Sequence, residues 1–282
     1  MSDHVDLFSL GVWVLFLAFV TSTIAAAVGF ACARKSRYSL SVVRRWCWLA
    51  AAAMSIGGVA IWLVQLIVLV GFTVSGTKMR YDGTWVTVSL VLAVALALVG
   101  LLITGRREDR DGLEEQVRPS GTVEIARIVG GGVVIGAAVP VVHFTIVRGI
   151  HIQGSFGYAV PLAVESVAIG VVVGALAVWL TLTAHNRYLR WAAAPVMALG
   201  VVGAHYVAMM AMQVDLDSAA VPPAGVEVFS ILFPAFVAGT LVLTIPITAL
   251  LTAPTRAESR LEEEAERWVV EEYAAQAEQP VG

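Results

Sequence analysis

His205, Met209 and Met212 stand at i, i+4 and i+7. On an α-helix these positions share one face. One imidazole and two thioethers on a stripe form a soft donor set, suited to Cu(I) rather than to harder ions. Methionines at helical spacing also fill apolar gaps beside a hydrogen-bonded core histidine, so the stripe has a second, purely structural reading. Tyr206, next in the chain to His205, is expected as a nearby hydrogen-bonding or redox-adjacent group. Glu165 is the acid that falls well inside an apolar run. A carboxylate there is costly unless paired or protonated. It is expected to lie buried and to orient a ligating histidine from behind. His151 is expected to be solvated, and His4 and His185 invite no functional reading.

A third of the pattern comes from register. Three segments align: 56–69 through Gln65, 134–147 through His143 and 196–209 through His205. Gln65, His143 and His205 take the same place in each. Tyr81 follows Gln65 by 16 residues and Tyr158 follows His143 by 15; Ser89 and Ser166 come eight residues later in each case. The unit is a pair of helices, one ending in the landmark and one returning. If such units pack about a pseudo-axis, His143 faces His205. The expected metal set is then His143, His205, Met209 and Met212, with Glu165 and Tyr206 behind it. Gln65 can donate and accept hydrogen bonds but is no soft ligand. Trp62 reads as an interfacial anchor.

The elements that must position these residues are membrane helices. Of 282 residues, 59% are apolar and 14% charged, against roughly a quarter charged in soluble domains. The apolar residues fall into runs of about 20 or more, enough to cross a hydrocarbon core of about 30 Å. The spans are read at 8–30, 47–71, 84–104, 123–147, 158–184, 191–212 and 227–251. In lipid each backbone amide must be satisfied within its own segment, so the spans are helices. The fold expected is an all-α polytopic bundle of seven transmembrane helices built from repeated pairs. Residues 1–253 form the membrane domain, and 254–282 form a short acidic cytoplasmic tail.

Fifteen of the 18 Lys and Arg residues fall in 31–46, in 105–127, in 185–190 and in the tail. The other side holds Lys78, Arg80 and Arg148. The positive-inside rule therefore places the N-terminus outside and the C-terminus in the cytoplasm. A net charge of −3 suggests no nucleic-acid partner. Cys32 and Cys47 suggest no disulfide framework. Gly132-x-x-x-Gly136 and Gly170-x-x-x-Gly174 read as close-packing motifs. No P-loop, H-E-x-x-H, C-x-x-C, dinucleotide fingerprint or nucleophile elbow occurs, so an enzyme is not expected.

The segment Ala204-His205-Tyr206-Val207-Ala208-Met209 and its weaker copy Val142-His143-Phe144-Thr145, followed by the Tyr158 turn, resemble the MHYT family. The Tyr81-Asp82 turn matches as well. Those are bacterial membrane sensor modules with M-H-[FY]-x-[GA]-M motifs near the outer face. This chain resembles a diverged member without an appended output domain. The resemblance implies an inner (plasma) membrane sensor that binds copper and senses a gas, a metal or a redox state. It also implies a separate cytoplasmic signalling protein as partner, besides the lipid bilayer. Two other functions fit the residues. One is a small-solute or ion transporter using Glu165 and His143 as a polar path. The other is a packing protein, without the metal site, that acts through a partner. The topology makes a first prediction: reporter fusions at Gly76 and Ser120 will read opposite sides of the membrane. The same side for both would end the seven-span reading.

Overall fold

The computed structural model describes residues 5–6, 9–37, 39, 41–105, 121–183, 186–217, 219–252 and 268. Seven helices in it are long and apolar enough to cross a membrane. They are α1 (Trp13–Arg37), α2 (Val42–Leu69), α3 (Gly83–Thr104), α4 (Gly121–Arg148), α5 (Val160–Thr183), α6 (Arg187–Met210) and α7 (Val228–Thr252). The shortest has 22 residues, about 33 Å at 1.5 Å per residue. The chain is a seven-helix membrane bundle, as the apolar runs require. The first span shows the largest displacement, beginning at Trp13 rather than at residue 8. Residues before it are drawn into the end of the bundle: the Ser9 amide and hydroxyl both donate to the Gly71 carbonyl. The chain forms two compact units, Met1–Pro246 and Ile247–Gly282. Gln65, His143 and His205 all belong to the first. The acidic tail, except Trp268, lies outside the described residues, as do His4, His185 and the cations of 106–120.

α2 is the axis. Of its most apolar stretch, 94% is buried, against 11% for α7. A helix wrapped on all sides needs small residues where neighbours cross. Gly57 lies against the backbone of α3, where an added Cβ would collide with the Ala93 carbonyl. Gly29 of α1 leaves room for Ile56. Within α2, Met54–Leu63 is wound as a π-helix, with the Val64 amide reaching back five residues to the Val59 carbonyl. Trp62 sits in this segment and is 7% exposed. Its indole N–H is 2.9 Å from the Ser89 hydroxyl and 3.2 Å from the Val86 carbonyl on α3. Trp62 is therefore an internal tie rather than an interfacial anchor, because α2 has no lipid-facing side there.

The two glycine motifs meet each other. A Cβ on Gly174 would collide with the Cα of Gly136 and lie 2.6 Å from its nitrogen. A Cβ on Gly132 would come 2.6 Å from the Cα of Ala175. α4 and α5 thus touch backbone to backbone, as small-xxx-small pairing allows in lipid. Pro140 joins this contact, since a Cβ on Gly170 would lie 3.2 Å from its Cδ.

One end of the bundle is stitched by short antiparallel ladders that the helical pattern did not foretell. β1 (Val5–Asp6) pairs with β2 (Thr73–Val74), and β3 (Arg80–Tyr81) with β4 (Ile150–His151). β5 (Gly154–Tyr158) pairs with β6 (Met212–Leu216) in the register Tyr158↔Met212 to Gly154↔Leu216. Tyr81 and Val226 exchange backbone bonds at 2.9 and 3.0 Å. Arg80 pairs with Glu227 at 2.9 Å. At the other end, cations meet the last carbonyls of α3. Arg45 donates to the Gly105 carbonyl and Arg127 to the Ile103 carbonyl, each at 3.3 Å. Such donors satisfy orphan carbonyls and complement the helix dipole.

The glycine contact yields a prediction. Gly174→Val forces backbone against backbone and is expected to cost about 1–3 kcal/mol or more. Gly130→Ala, which meets nothing within 4 Å, should be neutral or stabilise by up to about 1 kcal/mol. Thermal unfolding in detergent compares the two. Equal melting temperatures would refute the close contact.

Candidate ligand site in the bundle core

The three landmark residues lie at one depth, each about 6–8 Å inside the strand-bearing end of its helix at 1.5 Å per residue. Gln65 is four residues from the end of α2, and His143 and His205 are each five from the ends of α4 and α6. Gln65 and His143 are 1% exposed and His205 is 2% exposed. The structure brings the two imidazoles together, with Nδ1 of His143 3.2 Å from Nδ1 of His205. Their ring centroids are 4.8 Å apart and the planes nearly perpendicular. One Nδ1 must donate and the other accept.

The remaining polar atoms of this core are unanswered. Nε2 of His143, Nε2 of His205 and Oε1 of Gln65 are all buried without a hydrogen-bond partner. The Gln65 amide nitrogen donates to the Val139 carbonyl at 2.9 Å. Among the described residues, the one other such buried side-chain atom is Nε of Arg37. Native interiors leave few polar groups unmatched, so three at one place call for an explanation. Aromatic rings wall the site: Phe144 lies 5.2 Å from His143, and Tyr158 lies 5.5 Å from Phe144, all edge to face. Tyr206 is half-buried with its centroid 6.1 Å from that of His205.

Met209 is buried one turn beyond His205. Met212 departs from the expected stripe. α6 ends at Met210, and Met212 opens β6 opposite Tyr158. The ribbon captures the chain before a further turn can form. Met212 is still buried, at 3% exposed, but not through helical spacing. Glu165 is a clearer correction. It is exposed on the outer surface of α5, while its neighbour Ser166 points inward and bonds the Ala163 carbonyl. The apolar run gave the depth of Glu165 but not its side of the helix. His151 is exposed, with Nδ1 3.3 Å from the Ala224 carbonyl. Sequence reasoning missed the bond of Trp62 to Ser89. The signal was there, since Ser89 and Ser166 recur eight residues after their tyrosines.

At the ribbon end, Asp82 caps α3 by accepting from the Thr84 amide at 2.8 Å, which holds its carboxyl below the usual range. Burial pushes the phenols of Tyr81 and Tyr158 upward, with Arg148 opposing it for Tyr158. Among the described residues, no three His, Cys, Asp or Glu side chains form a metal-holding group. A ligand here must be met by two imidazoles, an amide and thioethers.

Fold and core together define a polytopic helical membrane protein with a buried polar centre built by repetition. Residues 58–113 and 136–194 match the family described as MHYT, bacterial signalling protein N terminal repeat. These two repeats support membership in the MHYT-domain family of bacterial membrane signalling modules. Each matched segment begins within the helix that carries a landmark and runs on through the return helix, with Gln65 in the first and His143 in the second, whereas His205 falls outside both. No curated protein and no solved structure matches the chain.

The imidazole contact makes a prediction. His143→Leu or His205→Leu strands a buried partner and should cost about 1–3 kcal/mol each. Replacing both should cost less than the sum, since no unmatched nitrogen remains. Thermal melts of the four proteins complete the cycle. Strict additivity would mean that the rings do not interact.

Proposed function

We propose that this protein is a sensor of the bacterial inner membrane whose core binds one copper ion between His143 and His205. The observation that carries the reading is the 3.2 Å separation of the two Nδ1 atoms in a buried core. Two nitrogens that ligate one tetrahedral ion at about 2.0–2.1 Å stand roughly 3.3 Å apart. The donor set also fits. Met209 follows His205 by one turn, so a thioether lies on the same side of α6. Met212 is buried where the ribbon meets the helix and is the candidate fourth group. Thioethers and imidazoles favour Cu(I), because ligand softness does the selecting. When bound, the ion supplies a soft, redox-active centre. The chain's own residues keep it dry and hold the rings edge to face.

The cations at the α3 end, including Arg45 and Arg127, support a cytoplasmic placement of that end. The ribbon end then faces outward, and the site lies one to two turns beneath it. A separate cytoplasmic protein would receive the signal. The transport reading used Glu165 as part of a polar path, and its outward exposure removes that acid from the core.

Purified wild-type protein offered Cu(I) is expected to retain about one ion per chain. A folded His205→Ala, Met209→Ala double variant should fall to background by elemental analysis. Wild-type protein that takes up no copper would defeat the reading.

A further inference from the structure

We propose that Gln65 is a positioning residue that sets which nitrogen of His143 carries the proton. It keeps Nε2 of His143 protonated and reserves the Nδ1 lone pair for whatever faces it. The tautomer stands by itself; its use by an ion rests on the reading above.

The amide of Gln65 has its direction fixed. The Val139 carbonyl can only accept, so the nitrogen of the amide must face it, as the 2.9 Å bond shows. Oε1 is therefore the free end, an acceptor without a donor in a residue 1% exposed. Val139 lies one turn before His143 on α4. A helical side chain lies over the turn that precedes its own Cα. The His143 ring thus lies over the turn to which Gln65 is anchored. Its Nε2 is likewise buried and unmatched.

The contact between the rings admits two proton arrangements. If His143 donates through Nδ1, its Nε2 is a bare lone pair. The hydrogen then lies on Nε2 of His205, and the ring over the Gln65 anchor presents a second acceptor to the amide oxygen. If His205 donates, Nε2 of His143 carries a hydrogen, and the Gln65 oxygen is the acceptor it needs. Only the second arrangement puts the donor on the ring that lies over the turn where Gln65 is anchored, and side-chain rotation then closes the bond. No proton is gained or lost; the choice is between neutral tautomers. His205 is left protonated at Nδ1, the form less favoured by free imidazole side chains in water. An imidazole that ligates through one nitrogen nearly always donates from the other, and that hydrogen bond sets ring orientation. Gln65 supplies this acceptor for His143 with or without an ion.

The test uses the full chain with ¹⁵N-labelled histidine in detergent, with signals assigned by single substitution of the histidines. Two-bond ¹⁵N–¹H correlations are expected to show Nε2–H on His143 and Nδ1–H on His205. Gln65→Met, of similar volume but without the acceptor, should lose the fixed His143 tautomer while the protein stays helical. Gln65→Leu serves if that variant fails to fold. Nδ1–H on His143 in the wild type, or an unchanged tautomer in a folded variant, would overturn the proposal. Where wild-type protein binds Cu(I), Gln65→Met should weaken it about 10–100-fold. The expected tautomers in a wild-type protein that takes up no Cu(I) would overturn the ion reading alone.

Discussion

No water competes for polar groups inside hydrocarbon, so each one taken into the bundle must be met by the protein itself. The backbone meets this demand by being helical. The side chains meet it by contact between helices, which requires close approach. Glycine provides the approach: α4 and α5 touch at Gly132, Gly136, Gly170 and Gly174, and α2 touches α3 at Gly57. With the backbones this near, short side chains and amides can reach across. Trp62 finds Ser89 and Val86 on α3. Gln65 finds Val139 on α4. Ser22 of α1 finds the Ala60 carbonyl at 2.9 Å. The buried α2 is held by such bonds on three sides.

Against that background the core at Gln65, His143 and His205 is unusual. Elsewhere buried hydroxyls are closed by backbone carbonyls, within the helix for Ser89 to Val86 and Thr181 to Ala177 and across helices for Ser22 to Ala60. At the landmark depth three atoms are left open. Repetition explains why they gather: each helix pair delivers its landmark to the same level, so three polar side chains arrive in one place. Divergence explains why they are unequal. The first copy keeps an amide that can be anchored, the second an imidazole without sulfur, and the third an imidazole with methionine. The three equivalent positions thus offer distinct places for donor and acceptor.

Much of this was legible in the sequence. The seven apolar runs fixed the spans because hydrocarbon thickness sets a length that composition must fill. The alignment of Gln65, His143 and His205 placed them at one depth, and the two histidines do meet. Depth was readable, whereas facing was not. Glu165 lies at the expected height but turns outward, because an apolar helix with little periodicity gives no sign of which side is buried. Trp62 was misplaced for the same reason: α2 has no polar face to orient it. Met212 failed differently. The i+7 spacing assumed that α6 continues, but strand pairing with Tyr158 ended it at Met210. Two- to five-residue ladders between loops depend on loops from distant units lying side by side, which no local pattern encodes.

Those ladders also bear on how the core relates to its surroundings. The rings of His205, His143, Phe144 and Tyr158 form a chain with successive centroids 4.8, 5.2 and 5.5 Å apart. Tyr158 is the last residue of β5 and pairs with Met212, two residues past the helix that carries His205. The path therefore closes on itself, leaving α6 through the imidazole pair and returning through the ribbon. Close-packed interiors transmit displacement rather than absorb it. A shift of either ring must be shared by α4, α6 and the ribbon, because the Ala159 amide is also bonded to the Ala211 carbonyl at 2.8 Å. A continuous path does not by itself make a switch; that takes an element with two arrangements, each biased by one end. The imidazole pair offers two proton arrangements, of which the proposed Gln65 contact selects one. Its proton sits on one Nδ1 or the other, and the groups at its two ends, Gln65 on one side and Met209 with the ribbon on the other, are chemically different.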